Sequence, residues 1–137
     1  MKILVSLLIG AMLFVSSMLT AQKQTITLTM EGISSDKGTV NFALYDETNF
    51  RLQPLQSATG KITAGKTTIV FEDVAPGTYA IVCFHDKNDN NKMDFQPNGM
   101  PLEDFGVSNN SMSYGPPEYE DAKFVVANKN VTLEIRF

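Results

Sequence analysis

A chain of 137 residues without internal repeats is long enough for one domain with a real core and too short for two. Its 15 acidic against 11 basic residues give a formal net charge of −4 with no basic patch, which excludes nucleic acid as a partner. The single cysteine, Cys83, rules out an intramolecular disulfide, so stability must come from the core, with any bound ion adding to it.

The N-terminus reads as a secretory signal peptide over residues 1–21. Lys2 supplies the positive end, Ile3 to Val15 are apolar apart from Ser6 and Gly10, and small residues lead to a cleavage point between Ala21 and Gln22. The apolar run falls short of the roughly 20 residues a spanning helix needs. The mature chain, 22–137, is therefore expected to be exported to the periplasm or the medium, with no membrane span after cleavage. No cysteine adjoins the cleavage point to carry a lipid.

Gln24 to Met30 alternates, with Ile26, Leu28 and Met30 on one face and threonines on the other, which predicts a half-buried strand. A turn over Ile33 to Gly38 follows, then a second strand over Thr39 to Tyr45 with Val40, Phe42 and Leu44 inward. Asp46 to Gln56 is a polar connection. Lys61 to Thr63, the Ala64-Gly65 turn and Lys66 to Phe71 predict a hairpin. Thr78 to Phe84 is the central strand, apolar on both faces, so both faces need a cover. The second cover is expected to be the long segment Phe95 to Tyr119, since a connection of that length is usually functional or packed as a lid. Ala122 to Val126 and Val131 to Phe137 close the chain as strands. Phe42, Tyr79, Ile81 and Leu133 are the expected core. The fold class is all-β: an antiparallel β-sandwich of about seven strands, Ig-like or transthyretin-like, as a single domain over 22–137 with a long loop at 86–121. A small closed barrel is the alternative.

The central strand runs into a loop crowded with oxygen side chains. Counting Asp86 as position one, Asn88 is three, Asn90 five, Lys92 seven through its carbonyl and Asp94 nine, the spacing of the first part of a calcium loop. The twelfth position is Pro97, so the closing bidentate carboxylate must come from Glu103 or Asp104 folding back. The same residues also suit a turn in which Asx side chains bond their own backbone. His85, the only histidine, has no recognisable catalytic partner in the sequence and reads as a hydrogen-bonded structural residue. Cys83 alternates inward as a small core residue. Ser108-Asn109-Asn110, Tyr114 and the Gly115-Pro116-Pro117 bend with its following carboxylates form a polar, aromatic-edged cluster able to face a glycan or peptide.

Three blocks, FEDVAPGTYAIVCFHDKNDNNKMD, GMPLEDFGVSNN and YGPPEYEDAKF, occur in that order. They resemble a bacterial family known as domain of unknown function 2141, and the resemblance covers most of the mature chain. It implies an exported β-sandwich similar to transthyretin-like and carboxypeptidase-regulatory-type domains, and points to no particular activity. The loop departs from the family pattern at Asp89 and Asn91, where glycine is usual. The leading expectation is a non-enzymatic, calcium-stabilised module that binds a protein partner or a glycan through its long loop. The alternatives are a hydrolase using His85 with nearby carboxylates, and a purely structural envelope component.

Overall fold

The computed structural model describes residues 21–111 and 114–137. The expected leader lies outside them except for Ala21. Among the described residues no helix is long and apolar enough to cross a membrane.

The described residues are all-β, with eight strands in two sheets. β1 (Gln24–Met30) lies between β4 (Thr67–Val74) and β8 (Val131–Ile135) in the first sheet. The second has the order β3 (Gln56–Lys61), β2 (Thr39–Tyr45), β5 (Gly77–Asp86), β6 (Phe105–Val107). β7 (Phe124–Val126) pairs with the first residues of β5, and β6 with its later ones, so together they extend one edge. The first sheet is mixed rather than antiparallel: β8 runs parallel to β1. No tight hairpin joins these two strands, so nothing ties their directions together.

Alternation decides which residues meet between the sheets. Ile26, Leu28 and Met30 from β1, Val40, Phe42 and Leu44 from β2, and Ile81 and Cys83 from β5 are all buried in one cluster with Phe71, Val126 and Ile135. Tyr79 and Leu133 are half-buried at its margin. Tyr79 keeps its hydroxyl outward to donate to the Ala75 carbonyl (2.6 Å), while Leu133 sits on an outer strand.

Several boundaries differ from the sequence reading: β4 runs on to Val74, β8 ends at Ile135, and the long loop contains the short strand β6. The strand expected at Lys61–Thr63 lies earlier, at Gln56–Lys61, and Ile62 is buried beyond its end. An outer strand that gives the interior only Gly60 and part of Ala58 shows little apolar alternation. The Ala64-Gly65 turn is as expected: Thr63 and Lys66 pair across it and both central residues have positive φ (51° and 72°). Asp36 accepts from both turn N–H groups (3.1 and 2.8 Å). Near the C-terminus, Tyr119–Ala122 forms a single helical turn, α1, so the strand expected from Ala122 begins at Phe124.

The outer face of β5 is covered by apolar packing toward its start, and Asp86 is buried at its end. Ala80 packs under Val107 and Ala122, with Phe50 and Tyr119 alongside. Beyond it Val82 and Phe84 remain half-exposed.

Candidate functional site

The loop leaving β5 is a polar knot followed by an apolar finger. Asp86 alternates onto the outer face and is fully buried. Its carboxylate accepts from Asn91 N–H (2.8 Å), Asn90 N–H (3.2 Å) and Asn41 Nδ2 (3.3 Å). Asp89 and Asn91 adopt positive φ, 53° and 59°. Asp and Asn reach this region more readily than other residues with side chains, so the loop turns without glycine at either position. Gly38, at φ +71°, lies against the Asp86 carbonyl with no room for a Cβ, which locks the β1–β2 turn onto the end of β5.

Asp94 is the second node. Its oxygens accept from Asn88 Nδ2 (2.9 Å) and Asn90 Nδ2 (2.9 and 3.0 Å). These amide bonds hold its carboxyl below the ordinary carboxylate range. Asp94 also forms the base of the finger: its carbonyl accepts from Leu102 N–H (2.8 Å), and Phe95 bridges to Pro101. Glu103, 7% exposed, turns toward the loop, and its Oε2 accepts from Asp94 N–H at 3.5 Å. Burial is the main force raising the Glu103 carboxyl above its ordinary 4.5. The Asp94 and Asp86 charges add to the rise, against the N–H groups of Asp94 and Lys87. Lys92 is exposed and donates its N–H to Asn90 Oδ1 (3.0 Å).

The five expected ligand residues are thus gathered in one loop, and Glu103 is drawn to it. Their side chains are engaged with one another and with the backbone. Among the described residues no three His, Cys, Asp or Glu side chains converge as a metal-holding group. A cation here would draw on the Asn88 and Asn90 amides, which would turn to present oxygen in place of the N–H groups now directed at Asp94.

The finger walls a cleft of about 700 Å³ on the uncovered part of the second sheet. Val82 and Phe84 form the floor, Met93, Phe95 and Met100 one wall, Phe105, Tyr114 and Pro116 another. Phe95 and Met100 are more than half exposed, and Tyr114 is fully exposed. A shallower cavity of about 330 Å³ adjoins it, sharing Tyr45, Val82 and Phe84 and adding Asn41, Ser57 and Thr59. No motif marks this cleft in the sequence. The available signal was Val82 and Phe84, apolar residues on a second face that need a cover and receive only part of one.

In the cluster read as a glycan or peptide surface, Tyr114 to Pro117 line the cleft, while Ser108, Asn109 and Asn110 bond to the frame. Ser108 is buried; its hydroxyl accepts from Ile81 N–H (3.0 Å) and donates to the Ala122 carbonyl (2.5 Å). Asn109 Nδ2 donates to the Asp121 and Lys123 carbonyls (3.1 and 2.8 Å). Asn110 offers its amide to β8 like another strand, accepting from Arg136 N–H (2.8 Å) and donating to the Glu134 carbonyl (3.0 Å). These side chains join β5, β6, α1 and β8. Asn109 and Asn110 have φ of 66° and 51°, a conformation to which asparagine is suited.

His85 points into the core. It is fully buried, its Nε2 is 2.7 Å from the Lys37 carbonyl, and its ring stacks on Phe137. Asp86, its neighbour, points to the opposite face, so alternation separates the histidine from the loop carboxylates. Cys83 is buried on the same inward face, where burial pushes its thiol well above the ordinary value of 9.0.

A family model described as "Uncharacterized protein conserved in bacteria (DUF2141)" matches residues 28–134. The chain belongs to this family. The DUF2141 region runs from the middle of β1 into β8, and takes in the polar knot, the cleft and the Ser108–Asn110 clamp. No curated protein and no solved structure matches the chain.

Proposed function

We propose that this DUF2141 protein is an exported, non-enzymatic binding module, a β-sandwich of transthyretin-like or carboxypeptidase-regulatory-like build, that holds its partner through the long loop. The observation that carries the reading is the cleft beside the finger, with Phe95, Met100, Phe105 and Tyr114 exposed around it. Solvent-facing apolar side chains grouped about a concavity of this size are the usual signature of a ligand site. Of the two expected partner classes, a glycan loses its polar contacts if Ser108, Asn109 and Asn110 are committed to the fold. An apolar-bodied ligand, or an apolar segment of a protein, suits the walls better.

Export is supported by the leader pattern of residues 1–21. Calcium remains the proposed ion for the polar knot: Asp86, Asn88, Asn90 and Asp94, the Lys92 carbonyl and Glu103 would supply hard oxygen ligands. It would stiffen the base of the finger and so one wall of the cleft. A cation would also relieve the repulsion that Glu103 feels from Asp94 and Asp86.

The test is a panel of apolar small molecules, peptides and glycans measured against the wild type and Phe105→Ser. Ligands of the cleft should lose about tenfold in affinity, roughly 1.4 kcal/mol for part of one aromatic contact. Binding by glycans alone, indifferent to Phe105, would overturn the proposal.

A further inference from the structure

The cleft contains one charge, and it is positive. Arg51 lies on its rim beside Tyr45, whereas the other lining residues are apolar, aromatic, glycine or proline. Among the described residues Arg51 makes no ion pair; the salt bridges use Lys66, Lys87, Lys123 and Arg136. This is an isolated cation in a chain of formal net charge −4.

The turn that carries Arg51 is fixed from both sides. Asp46 Oδ1 accepts from Thr48 N–H (2.9 Å), Thr48 Oγ1 (2.6 Å) and Asn49 N–H (3.2 Å), and Asn49 Oδ1 accepts from Asp46 N–H (2.9 Å). Asp46 Oδ1 is therefore engaged within the turn, and neither Asp46 nor its neighbour Glu47 forms a salt bridge among the described residues. Phe50 anchors the next position, with edge-on contacts to Tyr45 and Tyr119, each at 5.6 Å between ring centroids. Arg51 itself sits at φ 59°, in the left-handed region. A guanidinium thus lines the mouth of an apolar cleft with no ion-pair partner among the described residues.

Resting on the binding role proposed for the cleft, we infer that its ligand is a free, single-chain apolar carboxylate. The chain packs on Val82, Phe84 and Phe105 and the carboxylate pairs with Arg51. A planar guanidinium matches a carboxylate with two parallel N–H donors, and the desolvated tail supplies most of the affinity. A neutral sugar would leave Arg51 unused, and a cationic peptide would be repelled by it.

Decanoate and 1-decanol, which differ in the charged end, separate the two contributions. Binding of each is measured by calorimetry, below the micellar range, to the wild type, Arg51→Gln, Phe105→Ser and the control Lys66→Gln. Decanoate should bind about fivefold more tightly than decanol, the scale of a partly solvated ion pair. Arg51→Gln should bring decanoate to the decanol level and leave decanol unchanged, Phe105→Ser should weaken both, and Lys66→Gln should change neither. If Phe105→Ser weakens both ligands while Arg51→Gln weakens neither, the cleft binds but the carboxylate inference falls. If Phe105→Ser also has no effect, or neither ligand binds the wild type, cleft and inference fall together. Adsorption to neutral phosphatidylcholine vesicles, equal in wild type and Arg51→Gln and stronger than decanoate binding, would assign the exposed finger to a membrane surface and overturn the inference.

Discussion

Replacing Asp86 with Ala should show how the loop is held. The carboxylate is fully buried and takes two backbone N–H groups and one amide, the shortest at 2.8 Å. Hydrogen bonds to a charged group contribute about 1.5–3 kcal/mol each. Asn90 and Asn91 are exposed, so water can replace part of what their N–H groups lose, and deleting a buried charge returns its desolvation cost. The net loss should therefore fall near the lower end, about 2–3 kcal/mol for the group. Asp86→Asn keeps one acceptor oxygen and should lose about half as much. For a domain of this length these changes correspond to melting points lower by about 8–12 °C and 4–6 °C. Urea denaturation in chelator would read them, with an unchanged m-value showing that the fold is otherwise intact. A loss below about 0.5 kcal/mol for Asp86→Ala, the size of an ordinary surface change, would refute the assignment of Asp86 as the anchor.

Ser108→Ala should cost about 1–3 kcal/mol, because it strands the buried Ile81 N–H and the Ala122 carbonyl; urea denaturation checks it. Glu103 holds its proton more tightly folded than unfolded, so its contribution is fully present below pH 4.5 and is lost as pH rises through the raised folded value. Relative to wild type, Glu103→Gln should therefore gain stability across that window, and a difference that does not vary with pH would contradict this. Calcium should bind weakly, with a dissociation constant of roughly 10⁻⁴ to 10⁻³ M. At tenfold excess it should add about 1.4 kcal/mol, a rise of about 3–6 °C that magnesium does not match and Asp94→Asn abolishes. Coincident calorimetric scans in chelator, calcium and magnesium would exclude the ion.

The strands that bury one clean face were legible in the sequence. β1 and β2 alternate in burial at the positions where their apolar residues alternate, and β5 stood out as apolar on both faces. β3 was displaced because an outer strand reading QSATGK buries almost nothing, and burial is what writes a pattern into sequence. The parallel direction of β8 was illegible, since the apolar/polar alternation of its five residues reads the same in either direction. In the loop, the oxygen-rich spacing marks Asp86, Asn88, Asn90 and Asp94, which hydrogen-bond to one another, but not their unequal standing: Asp86 is an interior anchor and Asp94 a half-exposed node. Ser108, Asn109 and Asn110 read as solvent-facing because their partners are backbone groups in and beside α1, β5 and β8, distant in sequence and invisible to local spacing. Arg51 likewise acquires its meaning only when the turn after β2 meets the finger after β5.

The most direct test of the binding account is a map of amide and methyl chemical shifts as decanoate is titrated into the ¹⁵N,¹³C-labelled protein. The account predicts saturable shifts concentrated at Val82, Phe84, Met100, Phe105 and the Arg51 side chain, with the β4–β1–β8 sheet silent. Shifts confined to that sheet or to the Ser108–Asn110 clamp, or none at saturating ligand, would contradict it.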